Sequence, residues 1–253
     1  MSVQKIFRVD HEGAPRYVLE DKGAYRVIES DIFAGAPYKT GATVVPKKLL
    51  APVTPSKIIG IGLNYKDHAA ERNKPLPPEP LMFMKPSTAV IGPGDAIRVP
   101  TWAGRIDYES EMGIVIGKRA SRVKESEAAN YILGVTCVND VTARDLQTKD
   151  VQYTRAKGFD TFAPIGPCVA VGLDPSSLDI EGYVNGEKRQ SSNTNQLIFS
   201  VAHIIAHITA VMTLMPGDVI ATGTPAGIGA LKPGDQFIVK ITGIGELSNP
   251  VVE

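Results

Sequence analysis

From Ile106 to Lys118 the chain alternates apolar residues with others, placing Ile106, Tyr108, Met112, Ile114 and Ile116 on one face. A period of two predicts a β-strand. The opposite face carries Asp107, Glu109 and Glu111, then turns small and apolar at Gly113, Val115 and Gly117. Same-face neighbours lie about 6.6 Å apart at their Cα atoms, so adjacent carboxylates can reach one cation. Two readings stand side by side. The acids form a solvated strand face, or they form a local cluster whose like charges need an offsetting cation. A hard ion such as Mg²⁺ prefers carboxylate oxygen and fits the second reading.

Elsewhere the pattern is mostly that of strands. Ile6–Val9, Arg16–Leu19 and Tyr25–Ile28 are short strands separated by Gly- and Pro-containing turns, and they predict a small β-rich module over residues 1–50. Lys47 to Pro55, with Pro46, Pro52 and Pro55, reads as a linker, and residues 56–253 form the second, larger domain. That domain opens with a buried-type strand, Lys57 to Leu63, followed by the polar stretch Asn64 to Asn73. With Asn64 as an N-cap, this stretch predicts about two and a half helical turns. His68 and Glu71 then share a face at i and i+3, either as an exposed contact or as a carboxylate holding an imidazole. The proline-rich loop Asn73 to Pro80 leaves the helix poorly anchored, which suits a lid.

Later segments add candidates of their own. Gly134 to Thr142 is an apolar strand ending in Asp140, which is either a cation ligand or the N-cap of a helix over Ala143–Gln147. Lys157 lies in a polar stretch leading into the apolar run Ile165–Val171, as a solvated charge or as a partner for an anionic substrate. Asn185-Gly186 predicts a two-residue hairpin. Phe199–Leu214 is the best helix of the chain, capped by Ser200, and its His203 and His207 read as core or interface residues. Thr222 to Gly229 is a glycine-rich loop after a strand, either a tight turn or a cradle of N–H groups for an anion. It lacks the lysine and the glycine spacing of nucleotide-binding loops.

Lysine plus arginine equals aspartate plus glutamate at 27 each. This balance argues against nucleic acid or an anionic membrane as a partner. No apolar run is long enough to span a bilayer, and Met1 to Lys5 lacks the apolar core of a signal peptide. Cys137 and Cys168 lie in apolar runs without a CxxC partner and read as buried free thiols. The expectation is a cytoplasmic enzyme.

Taken together, Gly62-Leu63-Asn64-Tyr65-Lys66-Asp67-His68, Phe83-Met84-Lys85-Pro86, Asp107-Tyr108-Glu109-Ser110-Glu111, Asn139 to Asp145, Lys157 and Thr222 to Gly229 resemble the fumarylacetoacetate hydrolase family, in the order that family has them. The resemblance spans residues 57–253. It implies an α+β, mostly β fold built on a rolled mixed sheet, usually working as a homodimer. It also implies a Mg²⁺ or Mn²⁺ site with Glu109, Glu111 and Asp140 as ligands. By the same matching, His68 and Glu71 become a catalytic pair on a lid, with Lys157 beside them. Thr224, Arg144 and Gln147 become substrate contacts. The activity implied is on a small 2-oxo or β-diketo acid, by C–C hydrolysis of the acylpyruvate type or decarboxylation of the oxaloacetate type. Isomerisation of ring-cleavage diacids such as 2-hydroxyhepta-2,4-diene-1,7-dioate is the alternative. A non-catalytic domain stapled by a structural cation is the reading from another class.

Overall fold

The computed structural model describes residues 2–253. The chain opens as an antiparallel meander of β1 (Gln4–His11), β2 (Ala14–Asp21), β3 (Ala24–Ile28) and β4 (Thr40–Val44). The expected linker at 47–55 instead contributes β5 (Lys48–Leu50), which pairs with β1. Next come β6 (Lys57–Gly62), α1 (Lys66–Glu71), β7 (Leu81–Pro86) and two short strands, β8 (Val90–Ile91) and β9 (Ile97–Arg98). The acidic stretch divides into β10 (Ile106–Tyr108) and β11 (Ser110–Ile116). After it run β12 (Ile132–Asn139), β13 (Thr142–Ala143), α2 (Arg144–Asp150), α3 (Thr154–Lys157) and β14 (Ala163–Val171). The chain ends with the hairpin of β15 (Asp179–Val184) and β16 (Glu187–Asn193), then α4 (Val201–Val211), β17 (Val219–Ala221), β18 (Gly229–Ala230), β19 (Gln236–Ile241) and β20 (Gly245–Val252).

The fold is mostly β with mixed sheets. The main path of the largest sheet runs β4-β3-β2-β1-β14-β12-β11-β17-β6-β7, so the strands of the first 50 residues join the rest through β1 and β14. A second sheet, β16-β15-β19-β20-β9, packs on β11, β12 and β14, and a third has the order β13-β10-β18. Alternation along β11 explains the packing. Met112, Ile114 and Ile116 enter the core shared with Val239, Ile241 and the α4 residues Ile204 and Ile208. Val115 enters a second core on the other face, closed by Ile28, Ile32, Tyr38 and Val53 of the amino-terminal segment. Because both faces are covered, every residue from Ile106 to Gly117 is buried, and the solvated-face reading of the acids is excluded.

Local signals account for several junctions. Asn185 and Gly186 both take positive φ, 52° and 82°, as a tight hairpin of this length requires. Ser200 caps α4 by accepting from the His203 N–H at 3.2 Å. Cys137 and Cys168 are buried free thiols. The parallel neighbours β6 and β17 are clamped by the buried Asp218, whose Oδ1 accepts from Ser56 N (3.0 Å), Ser56 Oγ (2.7 Å) and Lys57 N (3.2 Å). Its Oδ2 accepts from Met215 N at 2.8 Å and pairs with the Lys57 ammonium. Burial raises the Asp218 pKa, but this ring of donors outweighs it and holds the group below the usual carboxylate value. Among the described residues, no helix is long and apolar enough to cross a membrane.

Candidate active site

The acidic stretch is not the single strand that its alternation predicts. At Glu109 the chain leaves one sheet for another: β10 pairs with β13 and β18, whereas β11 pairs with β12 and β17. The Glu109 N–H leaves the ladder and donates to Asn139 Oδ1 at 3.0 Å, while its carbonyl accepts from Asp140 N at 2.9 Å. This break sorts the three acids. Register sets Ser110 opposite Asn139, so Glu109 and Glu111 meet Asp140 at the end of β12. One oxygen from each lies within 4.8 Å of the others, the sole such cluster of His, Cys, Asp or Glu among the described residues. Asp107 stands apart and accepts from Arg105 Nε (2.6 Å) and Arg144 Nε (2.9 Å). Asp140 does not cap the following helix; α2 begins after Ala143 with no side-chain cap.

Three cations surround the triad. Lys157 donates to Glu109 Oε2 at 2.8 Å and to Asp140 Oδ2, and it is fully buried under the Phe83 ring at 4.8 Å. Lys85 donates to Asp140 Oδ1 and to the Val141 carbonyl at 3.1 Å. Arg144 reaches Glu109 Oε1 as well as Asp107, and its third arm meets Gln147 Oε1. Burial alone would raise the Glu109 pKa, but Lys157 and Arg144 pull it down to about 2. Glu111 has no cationic partner; its Oε2 accepts only the Gly223 N–H, at 2.8 Å. Burial first, then Asp140 and Glu109, push its pKa well above the carboxylate range. Burial lowers the Lys85 pKa, whereas Asp140 and Glu109 overcome burial at Lys157 and raise it.

This donor set fits a divalent cation. Lys85, Lys157, Arg144 and the more exposed Arg105 pair with Asp107, Glu109 and Asp140, whereas Glu111 is left without a cation. Positive charge is missing at Glu111, whose one hydrogen-bond partner is the Gly223 N–H. A hard ion held by one oxygen of each triad member would ionise Glu111 and make the cluster net positive, suited to an anionic ligand.

The helix expected over Asn64 to Asn73 is shorter than its sequence suggests. α1 spans only Lys66–Glu71 and starts at Tyr65 without a side-chain cap. Asn64 has other work: its Nδ2 donates to the Thr222 carbonyl at 2.7 Å and its Oδ1 accepts from Phe199 N at 2.9 Å. It thereby staples the end of β6 to two distant loops. His68, 8 % exposed, places Nδ1 at 2.9 Å from Glu71 Oε2. Glu71 Oε1 in turn accepts the Gly227 N–H at 3.0 Å, and Asp67 accepts from Ser192 Oγ. The helix closes with Asn73 in the left-handed region at φ 49°, Asn73 N donating to the Ala70 carbonyl and Lys74 N to the Ala69 carbonyl, both at 3.0 Å. That is a Schellman ending, and it fixes the backbone on which Arg72 and Lys74 stand.

The N–H groups of the glycine-rich loop are taken by the protein's own carboxyl groups, Gly223 by Glu111 and Gly227 by Glu71. Gly223, at φ 104°, would bring a Cβ within 2.8 Å of the Asn64 Cβ, so a side chain there would displace the staple. Thr224 Oγ1 accepts from Gln190 Nε2 at 2.8 Å, and Gln190 Oε1 accepts the Ser110 N–H at 2.9 Å, tying the loop to β11.

A cavity of about 140 Å³ is lined by His68, Glu109, Glu111, Asp140, Arg144, Gln147, Lys157 and Thr224. Eight of the nine nominated residues thus meet at one space; Glu71 stands behind His68, its side chain 40 % exposed. Lys85 is a further site residue, and its sequence signal is a lysine inside the apolar run Leu81–Pro86. Phe83, Tyr153, Arg72 and Lys74 also line the cavity, and the sequence carried no local sign of them. His203 lies on α4, away from this space, with Nδ1 at 2.8 Å from Glu125 and its ring stacked on His207.

Comparison with known proteins agrees with this geometry. The model of the fumarylacetoacetate (FAA) hydrolase C-terminal domain matches residues 57–252, and the chain belongs to the fumarylacetoacetate hydrolase family. It is 55 % identical over 226 residues to an uncharacterised protein of Archaeoglobus fulgidus, covering 89 % of this chain and 90 % of that one. It is 45 % identical over 217 residues to a mitochondrial oxaloacetate tautomerase of Xenopus laevis, covering 81 % of this chain and 68 % of the relative. The solved structure of a 2-hydroxyhepta-2,4-diene-1,7-dioate isomerase from Mycobacterium marinum superposes with a TM-score of 0.90 at 38 % identity, covering 98 % of each chain.

Proposed function

We propose that this protein is a divalent-metal-dependent enzyme that moves a proton at C3 of a small 2-oxo acid, as a tautomerase or isomerase. The observation that carries this reading is one cavity lined by both a buried three-carboxylate cluster and a histidine backed by a carboxylate. Glu109, Glu111 and Asp140 would hold Mg²⁺ or Mn²⁺, which supplies a Lewis acid for the carboxylate and keto oxygens of a 2-oxo acid. His68 donates its Nδ1–H to Glu71, which leaves Nε2 free to take the C3 proton and return it. Glu71 orients the imidazole and stabilises its charged form. Lys157, held in the cationic state by its carboxylates, offsets charge growing on the substrate oxygen. Arg144, Gln147 and Thr224 bound the space in which the substrate sits. The names of the tautomerase and isomerase relatives favour this outcome.

A second reading is C–C cleavage, by hydrolysis of an acylpyruvate or decarboxylation of oxaloacetate. It uses the same cavity, and the buried Lys157 ammonium favours it, since cleavage also builds negative charge on the keto oxygen. Proton NMR in D₂O with Mg²⁺ separates the two. Loss of the C3 proton signal with all carbons retained supports proton transfer; release of pyruvate or CO₂ supports cleavage. His68→Ala should lower either rate by about a hundred- to ten-thousandfold with Mg²⁺ affinity unchanged. A chain that neither exchanges nor cleaves 2-oxobutanoate, oxaloacetate or acylpyruvates overturns both readings.

A further inference from the structure

We propose that Arg72 and Lys74, at the end of the lid helix, recognise a second carboxylate on the substrate, remote from the 2-oxo acid group. This rests on the reading of the cavity as a 2-oxo acid site. The cavity holds four cationic side chains that face it, and they divide into two kinds. Arg144 and Lys157 are already committed to Asp107, Glu109 and Asp140. Arg72 and Lys74 line the same space, yet among the described residues neither side chain makes a hydrogen bond or ion pair. Both are exposed, whereas the carboxylate triad is buried, so they stand at the mouth and the triad at the floor.

The placement is built rather than incidental. Arg72 N donates to the His68 carbonyl at 3.1 Å, and the Schellman ending pins Lys74 to Ala69. The two cations are therefore carried on the same rigid turn as the proposed base, and any motion of α1 moves all three together. Between floor and mouth, Leu81 and Phe83 offer an apolar wall against which a short carbon chain can lie. Toward the floor, a second carboxylate finds only cations already committed to the buried acids. At the mouth it meets a guanidinium able to bind it through two parallel N–H bonds and an ammonium beside it. A substrate with a methyl group in that place gains neither contact.

Calorimetry on the full chain with Mg²⁺ tests this, using 2-oxoglutarate and 2-oxopentanoate, which have the same carbon chain and differ by a carboxylate in place of a methyl. The wild type should bind the diacid at least about tenfold more tightly, the effect expected of hydrogen bonds to a charged group. In Arg72→Gln/Lys74→Gln the preference should vanish while affinity for 2-oxopentanoate stays the same. Lys66→Gln, which removes a charge from the same helix at a residue that does not line the cavity, should keep the preference. Equal binding of both acids by the wild type, a double variant that weakens both alike, or an equal loss in Lys66→Gln overturns the proposal while leaving the 2-oxo acid reading intact. Failure of both acids to bind overturns that reading, and this proposal with it.

Discussion

At the scale of single residues, Asp140 sits between two buried lysines, so removing its charge does more than subtract a metal ligand. Asp140→Asn should abolish Mg²⁺ binding and also cost about 3 kcal/mol of stability in urea unfolding, because Lys85 and Lys157 lose the anion that they share. Glu111→Gln should abolish Mg²⁺ binding by calorimetry without that loss, since its one partner here is the Gly223 N–H. Equal stability of the two variants would show that the lysines do not depend on Asp140. The sequence made the acids legible because carboxylates are rare in apolar strands, and it made His68 and Glu71 legible by their spacing. It could not separate Asp107 from Glu109 and Glu111. Only the change of sheet at Glu109 does that, and it depends on Asn139, thirty residues away.

At the scale of elements, the clamp at Asp218 joins β6 to β17 and so holds the strand that leads into α1. Its pKa is depressed in the folded protein, so its stabilisation is complete above the unfolded value near 3.8 and fades as pH falls through the folded value. Asp218→Asn should therefore lower stability by about 2 kcal/mol at pH 7. Repeating the urea titration near pH 3 should show the gap to wild type closing; a gap independent of pH would refute the clamp's ionic character. For the lid, Glu71→Gln should slow turnover about a hundredfold while Mg²⁺ affinity holds, because the imidazole loses its orienting charge. Strands, the hairpin at Asn185-Gly186 and the cap at Ser200 were legible because each rests on local chemistry. The start of α1 differs from the local expectation because Asn64 is consumed by tertiary bonds, a demand no local window contains. β5 was missed because its three residues pair only once β1 is present.

At the scale of the whole molecule, β1 closes the edge of β14, and Phe7, Val9 and Val18 enter the main core. The division into residues 1–50 and 56–253 can be tested by expressing the second part alone. It should lose solubility or unfold at lower urea, since the β14 edge and part of the core are laid bare. The full chain should show one cooperative transition in calorimetry. We also propose a two-fold homodimer, for which sedimentation should report the mass of two chains at micromolar concentration. A monomer there would overturn it.

Gly223 and Gly227 hold Glu111 and Glu71 through main-chain N–H groups, and this limits how the site can diverge under mutation. Any side chain at these positions would be strained by the φ values of 104° and 95° and would meet the Asn64 Cβ at 2.8 Å or the Arg189 carbonyl at 2.2 Å. Drift at the other loop residues leaves both main-chain grips in place, whereas a side chain at either glycine shifts the loop. Variants that loosen α1 should accordingly map to Glu71 and to Gly227 rather than to the remaining loop residues.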